Sequence, residues 1–169
     1  RFSKPSINWA VTAMQIRSAE TAGFCFGVER AVSLAEQTAK SCASAVTLGP
    51  IIHNRHVVER FEAMGLREIA RAEDAQPGQT VVIRAHGIPV SEQQTLAARG
   101  AKLVDATCPF VKKIHVIARQ AEEAGRHLLI IGTPTHPEVT AIASYSSDAH
   151  VFQTAEALES WLTEAPGRR

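Results

Sequence analysis

The chain has 169 residues, 45% of them hydrophobic and 21% charged, with a net charge of +1. That balance excludes an intrinsically disordered chain and argues against a nucleic-acid face held by bulk electrostatics. No apolar run approaches the roughly 20 residues of a membrane span, and three widely spaced cysteines suit a reducing cytosol better than a disulfide framework.

Residues 1–13 show no clean hydrophobic period and no apolar signal-peptide core, and read as a disordered or foreign leader. Met14 to Ser18 reads as a short strand and Glu20 to Phe26 as a loop with glycine on both sides of Cys25. Val28, Ala31, Val32, Leu34 and Ala35 form an apolar stripe near the 3.6 period, predicting a helix over Val28 to Lys40. A strand is expected at Val46 to Leu48. A helix follows from Asn54 to Met64, with Asn54 as N-cap and Gly65 as C-cap. Leu66 to Ile69 reads as a short strand and Gln76-Pro77-Gly78 as a turn. Thr80 to Ile83 is a strand, Ala85 to Pro89 a loop, and Ser91 to Ala98 a helix capped by Ser91.

Lys102 to Asp105 is the next strand, and a helix runs from Val111 to about Ala124. Cys108 therefore lies where a strand gives way to a helix, with Pro109 at the first helical position, where its missing N–H costs nothing. The positive end of a helix dipole favours thiolate, the form that binds metal or attacks. His127 to Ile131 reads as a strand, Gly132 to Glu138 as a loop followed by a weak helix, Val151-Phe152 as a strand, and Thr154 to Trp161 as a helix.

Strands alternate with helices throughout, so the fold class is α/β, built from parallel βαβ units. The strands are continuous apolar runs, as expected when both faces are covered. Ligands of such sheets bind beyond the carboxyl ends of the strands, where Cys25, His53, His86, Cys108, His136 and Glu138 fall.

Cys25 lies between Phe24 and Phe26, with Gly23 and Gly27 outside them. Close backbone approach and aromatic shielding would suit an iron–sulfur cluster. A free thiol in a small apolar core is the plainer reading. Cys108 tilts the balance toward function, whereas Cys42, between Ser41 and Ala43 at a helix end, reads as incidental. Two cysteines are too few for the usual cysteine-rich cluster site, and no histidine pair has the short spacing of a zinc motif. His53, His86 and His136 are suited to phosphate as cations or N–H donors, aided by helix N-termini. Glu138 could relay protons if burial raised its pKa, but its spacing alone suits a first-turn helix carboxylate. His56, His115, His127 and His150 are assigned no role. Glycine-rich nucleotide motifs are absent.

The blocks Ala22-Gly23-Phe24-Cys25-Phe26-Gly27-Val28-Glu29-Arg30-Ala31, Ile52-His53-Asn54-Arg55 with Val57-Val58, Arg84-Ala85-His86-Gly87, Asp105-Ala106-Thr107-Cys108-Pro109 and Thr135-His136-Pro137-Glu138-Val139 together resemble the amino-terminal half of the 4-hydroxy-3-methylbut-2-enyl diphosphate reductase (LytB) family. The resemblance runs from Met14 to roughly Trp161. It implies three similar α/β domains around a central iron–sulfur site, of which this chain would hold the first (14–107) and most of the second (108–169). It implies a cytoplasmic [4Fe–4S] reductase of isoprenoid precursor biosynthesis, acting in the methylerythritol phosphate pathway. That enzyme removes a hydroxyl reductively from the diphosphate substrate and yields isopentenyl and dimethylallyl diphosphate, with ferredoxin or flavodoxin as electron donor.

Carried over, Cys25 and Cys108 match two cluster ligands, His53, His86 and His136 the diphosphate-binding histidines, and Glu138 the proton-relay glutamate. The family's third cluster cysteine has no counterpart here, nor do its threonine-rich and Ser-x-Asn motifs, and Thr140 to Tyr145 lacks glycines usual after Val139. A chain that opens on Arg1 and closes on a polar tail at Arg169 is accordingly expected to be a fragment. The alternative is a truncated homologue that binds diphosphates without redox activity.

Overall fold

In the computed structural model, residues 16–164 are described. They form six strands and six α-helices in the order α1 (Phe26–Ser41), β1 (Val46–Leu48), α2 (Arg55–Ala63), β2 (Arg67–Ile69), β3 (Thr80–Ile83), α3 (Val90–Ala98), β4 (Lys102–Asp105), α4 (Pro109–Glu123), β5 (Leu128–Ile131), α5 (Pro137–Ala143), β6 (Ala149–Phe152) and α6 (Ala155–Glu164). A 3-10 turn at Ala72–Asp74 joins β2 to β3.

All strand pairs are parallel. One sheet has the order β2-β1-β3-β4 and a second pairs β5 with β6. The period of two along each strand divides the core of the larger sheet. Val82 faces one layer with Ala31 and Ala35 of α1 and Val57 and Phe61 of α2. Val81 and Ile83, with Val46 and Leu48, face the other layer, where Leu96 of α3 and Ala72 of the 3-10 turn pack. Because β1 is flanked by β2 on one side and β3 on the other, the chain leaves β1 and β3 in opposite directions. The crevice between their carboxyl ends is the topological switch point, where open parallel sheets bind ligands.

Several sequence expectations need correction. Ile16 to Ser18 forms no strand and Ile16 is exposed, while Met14 lies outside the described residues, as does all of the supposed leader, 1–13. Without a first strand, Cys25 follows a loop and caps α1 directly. Ser91 lies inside α3, whose N-cap is Pro89 with no side-chain cap. His127 lies just before β5 rather than in it. Both faces are covered only in the central strands β1 and β3. β4 leaves Leu103 exposed, and β5 alternates, with Leu129 and Ile131 exposed. Phe24 and Phe26 do not seal Cys25 from water among the described residues, since both rings and the thiol are exposed.

Candidate functional site

Three loops converge at the switch point. His53 precedes the N-cap of α2 in the loop after β1, and His86 lies in the loop after β3. His136 caps α5 in the loop after β5. Residues 83 positions apart in sequence thus meet: ring centroids lie 4.5 Å apart for His53–His86, 5.6 Å for His86–His136 and 6.0 Å for His53–His136. One nitrogen from each ring lies within 4.8 Å of the others. His53 and His86, with Phe24, Val28, Ile52 and Asn54, line an open cleft of about 280 Å³.

Local chemistry fixes these loops. Asn54 caps α2 by accepting from the Val57 amide at 3.2 Å, which leaves other first-turn N–H groups of α2 free to face an anion. Arg84 donates to the Gly87 carbonyl at 3.2 Å and braces the His86 turn. Gly87 adopts φ +77°, and a Cβ there would come within 2.7 Å of His115 Cε1, so both backbone and space require glycine. His115 is buried, and its ring stacks on Tyr145 at 4.6 Å. The Tyr145 hydroxyl accepts from Gln93 of α3 at 2.8 Å, and Ser144 accepts from the Val90 amide at 3.0 Å. These contacts seat α5, and with it His136, against the His86 loop. His136 accepts the Glu138 amide on Nδ1 at 3.2 Å, which leaves Nε2 as the ring's donor. Glu138 stands half-buried in the first turn of α5.

Electrostatics at the cluster favour an incoming anion. Burial, reinforced by His53, Arg84 and His136, pushes the His86 pKa down to about 4. Its Nδ1 is buried and has no partner among the described residues. A neutral ring with an unpaired buried nitrogen beside other imidazoles and a guanidinium is a site that gains from negative charge. Arg84 is itself lowered by burial, opposed by Glu92.

The two sequence-nominated cysteines take the same local position. Cys25 is the N-cap of α1 and Cys108 the N-cap of α4, and neither makes a side-chain cap bond. A Cβ at Gly27 would overlap Cys108 Sγ, so the start of α1 is held against the second thiol. Arg30 of α1 fixes that approach by donating to the Thr107 carbonyl at 3.2 Å and the Asp105 carbonyl at 3.3 Å. The Cys108 amide donates to Ala85 at 2.9 Å, and the Ala85 amide to Ile51 at 3.1 Å. This row of backbone bonds links Cys108, the His86 loop and the His53 loop. Cys42 stands at the far end of α1, about 25 Å from Cys25 at 1.5 Å per residue, and bonds to Thr80 and Ser44. It is no part of the site.

Sequence reasoning missed Arg30, Arg84 and His115. Arg30 and Arg84 lay within quoted motifs, where a charged residue flanking a ligand could have been read as its brace. His115 carries no local signal, since a polar residue every turn of an amphipathic helix reads as surface.

Fold and site together define a parallel α/β protein in which three histidines meet at a switch point and two thiols cap helices, one of them bonded through its backbone to the His86 loop. The family model described as LytB protein matches residues 16–166, and the chain belongs to the LytB family. It is 44% identical over 153 residues to a 4-hydroxy-3-methylbut-2-enyl diphosphate reductase of Solidesulfovibrio magneticus, covering 86% of this chain and 54% of the relative. A protein of the same name from Oleidesulfovibrio alaskensis is 47% identical over 149 residues, with 86% and 53% covered. A solved structure of (E)-4-hydroxy-3-methyl-but-2-enyl diphosphate reductase superposes with a TM-score of 0.73 at 40% identity, covering 86% of this chain and 53% of that one. The reductase structure from Plasmodium falciparum gives 0.77 at 26% identity, with 83% and 45% covered. The chain spans about half the length of the curated relatives it matches.

Proposed function

We propose that this chain carries the diphosphate-binding histidines and two of the cluster-ligating cysteines of an iron–sulfur reductase. That enzyme converts 4-hydroxy-3-methylbut-2-enyl diphosphate to isopentenyl and dimethylallyl diphosphate. The observation that carries the reading is the convergence of His53, His86 and His136, within 4.8 Å through one nitrogen each, with the His53 and His86 loops joined by backbone bonds to the turn that holds Cys108.

Cys25 and Cys108 would hold a [4Fe–4S] cluster. The fit is supported by a thiol at the start of each of two helices and by the missing Cβ at Gly27, which lets Cys108 Sγ lie against the start of α1. Thiolates at helix N-termini suit such a group. When bound, it would supply electrons and a Lewis-acidic iron for the substrate hydroxyl. His53, His86 and His136 would grip the diphosphate by charge-assisted hydrogen bonds, and an imidazole that is neutral when free would take up a proton as the anion enters. Glu138, in the first turn of the helix that His136 caps, would pass a proton to the departing oxygen. The residues fall into two units, 14–107 and 108–169, a division supported by the separate sheets. Completing the cluster requires a third thiolate from beyond these residues. The electron donor would be ferredoxin or flavodoxin, and the setting cytoplasmic. Among the described residues no helix is long and apolar enough to cross a membrane.

Anaerobic reconstitution with iron and sulfide tests the ligand assignment. Bound iron should fall at least twofold in Cys25→Ser and in Cys108→Ser and stay unchanged in Cys42→Ser. Iron uptake indifferent to both ligand substitutions would sink the assignment. Four irons per monomer with turnover by this chain alone would contradict the need for a third thiolate.

A further inference from the structure

A second group of metal-binding side chains lies at the opposite end of β5 from the Gly132–Glu138 loop. In the parallel register, Leu128 pairs with Ala149 and Leu129 with His150. One residue back, His127 stands beside Asp148, and the Leu128 amide donates to the Asp148 carbonyl at 3.0 Å. Asp148, one residue before β6, and His150 on it are two apart and so share a face. His127 shares it too, because it precedes Leu128 where Asp148 precedes Ala149. The register therefore projects two imidazoles and one carboxylate to the same side.

Their side chains meet there. His150 Nε2 lies 2.7 Å from one oxygen of Asp148, and His127 Nδ1 contacts the other. One donor atom from each of the three lies within 4.8 Å of the others. The ring of Trp161, on α6, lies 4.7 Å from His150 and 6.1 Å from His127, forming one wall. The group is half-exposed, which leaves solvent a path in.

We propose that His127, Asp148 and His150 bind a divalent first-row transition ion. Two imidazoles and a carboxylate suit borderline ions such as Zn2+ and Ni2+ over Ca2+ or Mg2+, which prefer all-oxygen shells. Donors at 2.0–2.1 Å in a tetrahedral shell are about 3.3 Å apart, a spacing bracketed by 2.7 Å and 4.8 Å here, so side-chain rotation suffices. Both rings already aim a nitrogen at Asp148. The ion takes the place of the two hydrogen-bonding protons, each of which moves to the other nitrogen of its ring. Three protein ligands leave a coordination position for water. The bound ion would tie β5 to β6 beneath α6. This site is independent of the reductase reading and shares no residue with it.

Trp161 reports on the site locally, since Ni2+ quenches a nearby indole. The test uses untagged protein carrying Trp9→Phe, which leaves Trp161 as the sole tryptophan. Ni2+ at micromolar concentration should quench the emission saturably. Affinity should fall tenfold or more in Asp148→Asn, His150→Gln and His127→Gln, and hold in His86→Gln and Cys108→Ser. His127 lies outside the strand and is exposed, so its variant is read without a folding defect. Quenching that fails to saturate by millimolar Ni2+, or that survives His127→Gln and Asp148→Asn unchanged, would overturn the proposal and leave an ion-paired triad only.

Discussion

Replacing Gly27 by alanine sets two effects of opposite sign against each other. Gly27 lies in the first turn of α1 with an ordinary helical backbone, so alanine should gain at most about 1 kcal/mol in helix propensity. Its Cβ, however, would overlap Cys108 Sγ and stand 3.2 Å from Cys108 Cβ. Inserting a methyl into a packed contact costs about 1–3 kcal/mol. The overlap should win, destabilising Gly27→Ala by about 1–2 kcal/mol in urea unfolding and changing the rate at which Cys108 reacts with a thiol reagent in a background where Cys25 and Cys42 are both replaced by serine. Removing the sulfur isolates the cause. In Cys108→Ala, where only the 3.2 Å contact remains, the same substitution should cost at least about 1 kcal/mol less, within the coupling range of touching residues. Equal or greater stability for Gly27→Ala, with Cys108 reactivity unchanged, would refute the idea that this glycine exists to seat the thiol.

Further outcomes follow from the same contacts. Gly87→Ala should lose about 1–2 kcal/mol from the left-handed backbone alone, with a further loss from His115 that His115→Ala relieves, read by urea unfolding. Arg30→Met strips two carbonyls, at Asp105 and Thr107, of a charged donor and should cost about 1–3 kcal/mol, checked by the same assay. His86 is neutral in the fold above about pH 4, whereas the unfolded chain protonates it near 6.5, so the unfolded state binds more protons between these values. Stability should therefore rise with pH from about 4 to 6.5 and fall on acidification, and His86→Gln should flatten that slope in unfolding curves taken across the range. Asn54→Ala should cost about 1 kcal/mol through loss of the bond from the Val57 amide, measured as a shift in the unfolding midpoint.

Much of this architecture is legible in the sequence because its causes are local. Asn54 before an amphipathic run, Pro109 after Cys108 and the apolar Thr80–Ile83 run each specify an element through a short-range preference, and β1, β3, β4 and the cap of α2 follow. Where causes are long-range, reading by residue falters. Ser91 looks like a cap, but Pro89 already turns the chain into α3. The exposed faces of β4 and β5 look fully buried in sequence, since an apolar run does not say what packs upon it. The site divides in the same way. His53, His86 and His136 are legible from their places after strands, whereas their common meeting point depends on Tyr145, Ser144 and Gln93, whose bonds cross the fold. The triad of His127, Asp148 and His150 depends on the register of β5 and β6, which no single stretch encodes.

The central claim is that His53, His86 and His136 act as one anion site, and calorimetric titration with inorganic pyrophosphate tests it most directly. Hydrogen bonds to charged groups contribute about 1.5–3 kcal/mol, roughly tenfold or more in affinity. The account predicts one pyrophosphate bound per chain, and a loss of tenfold or more in each of His53→Ala, His86→Ala and His136→Ala. Absence of binding, or binding that all three variants retain unchanged, would contradict it.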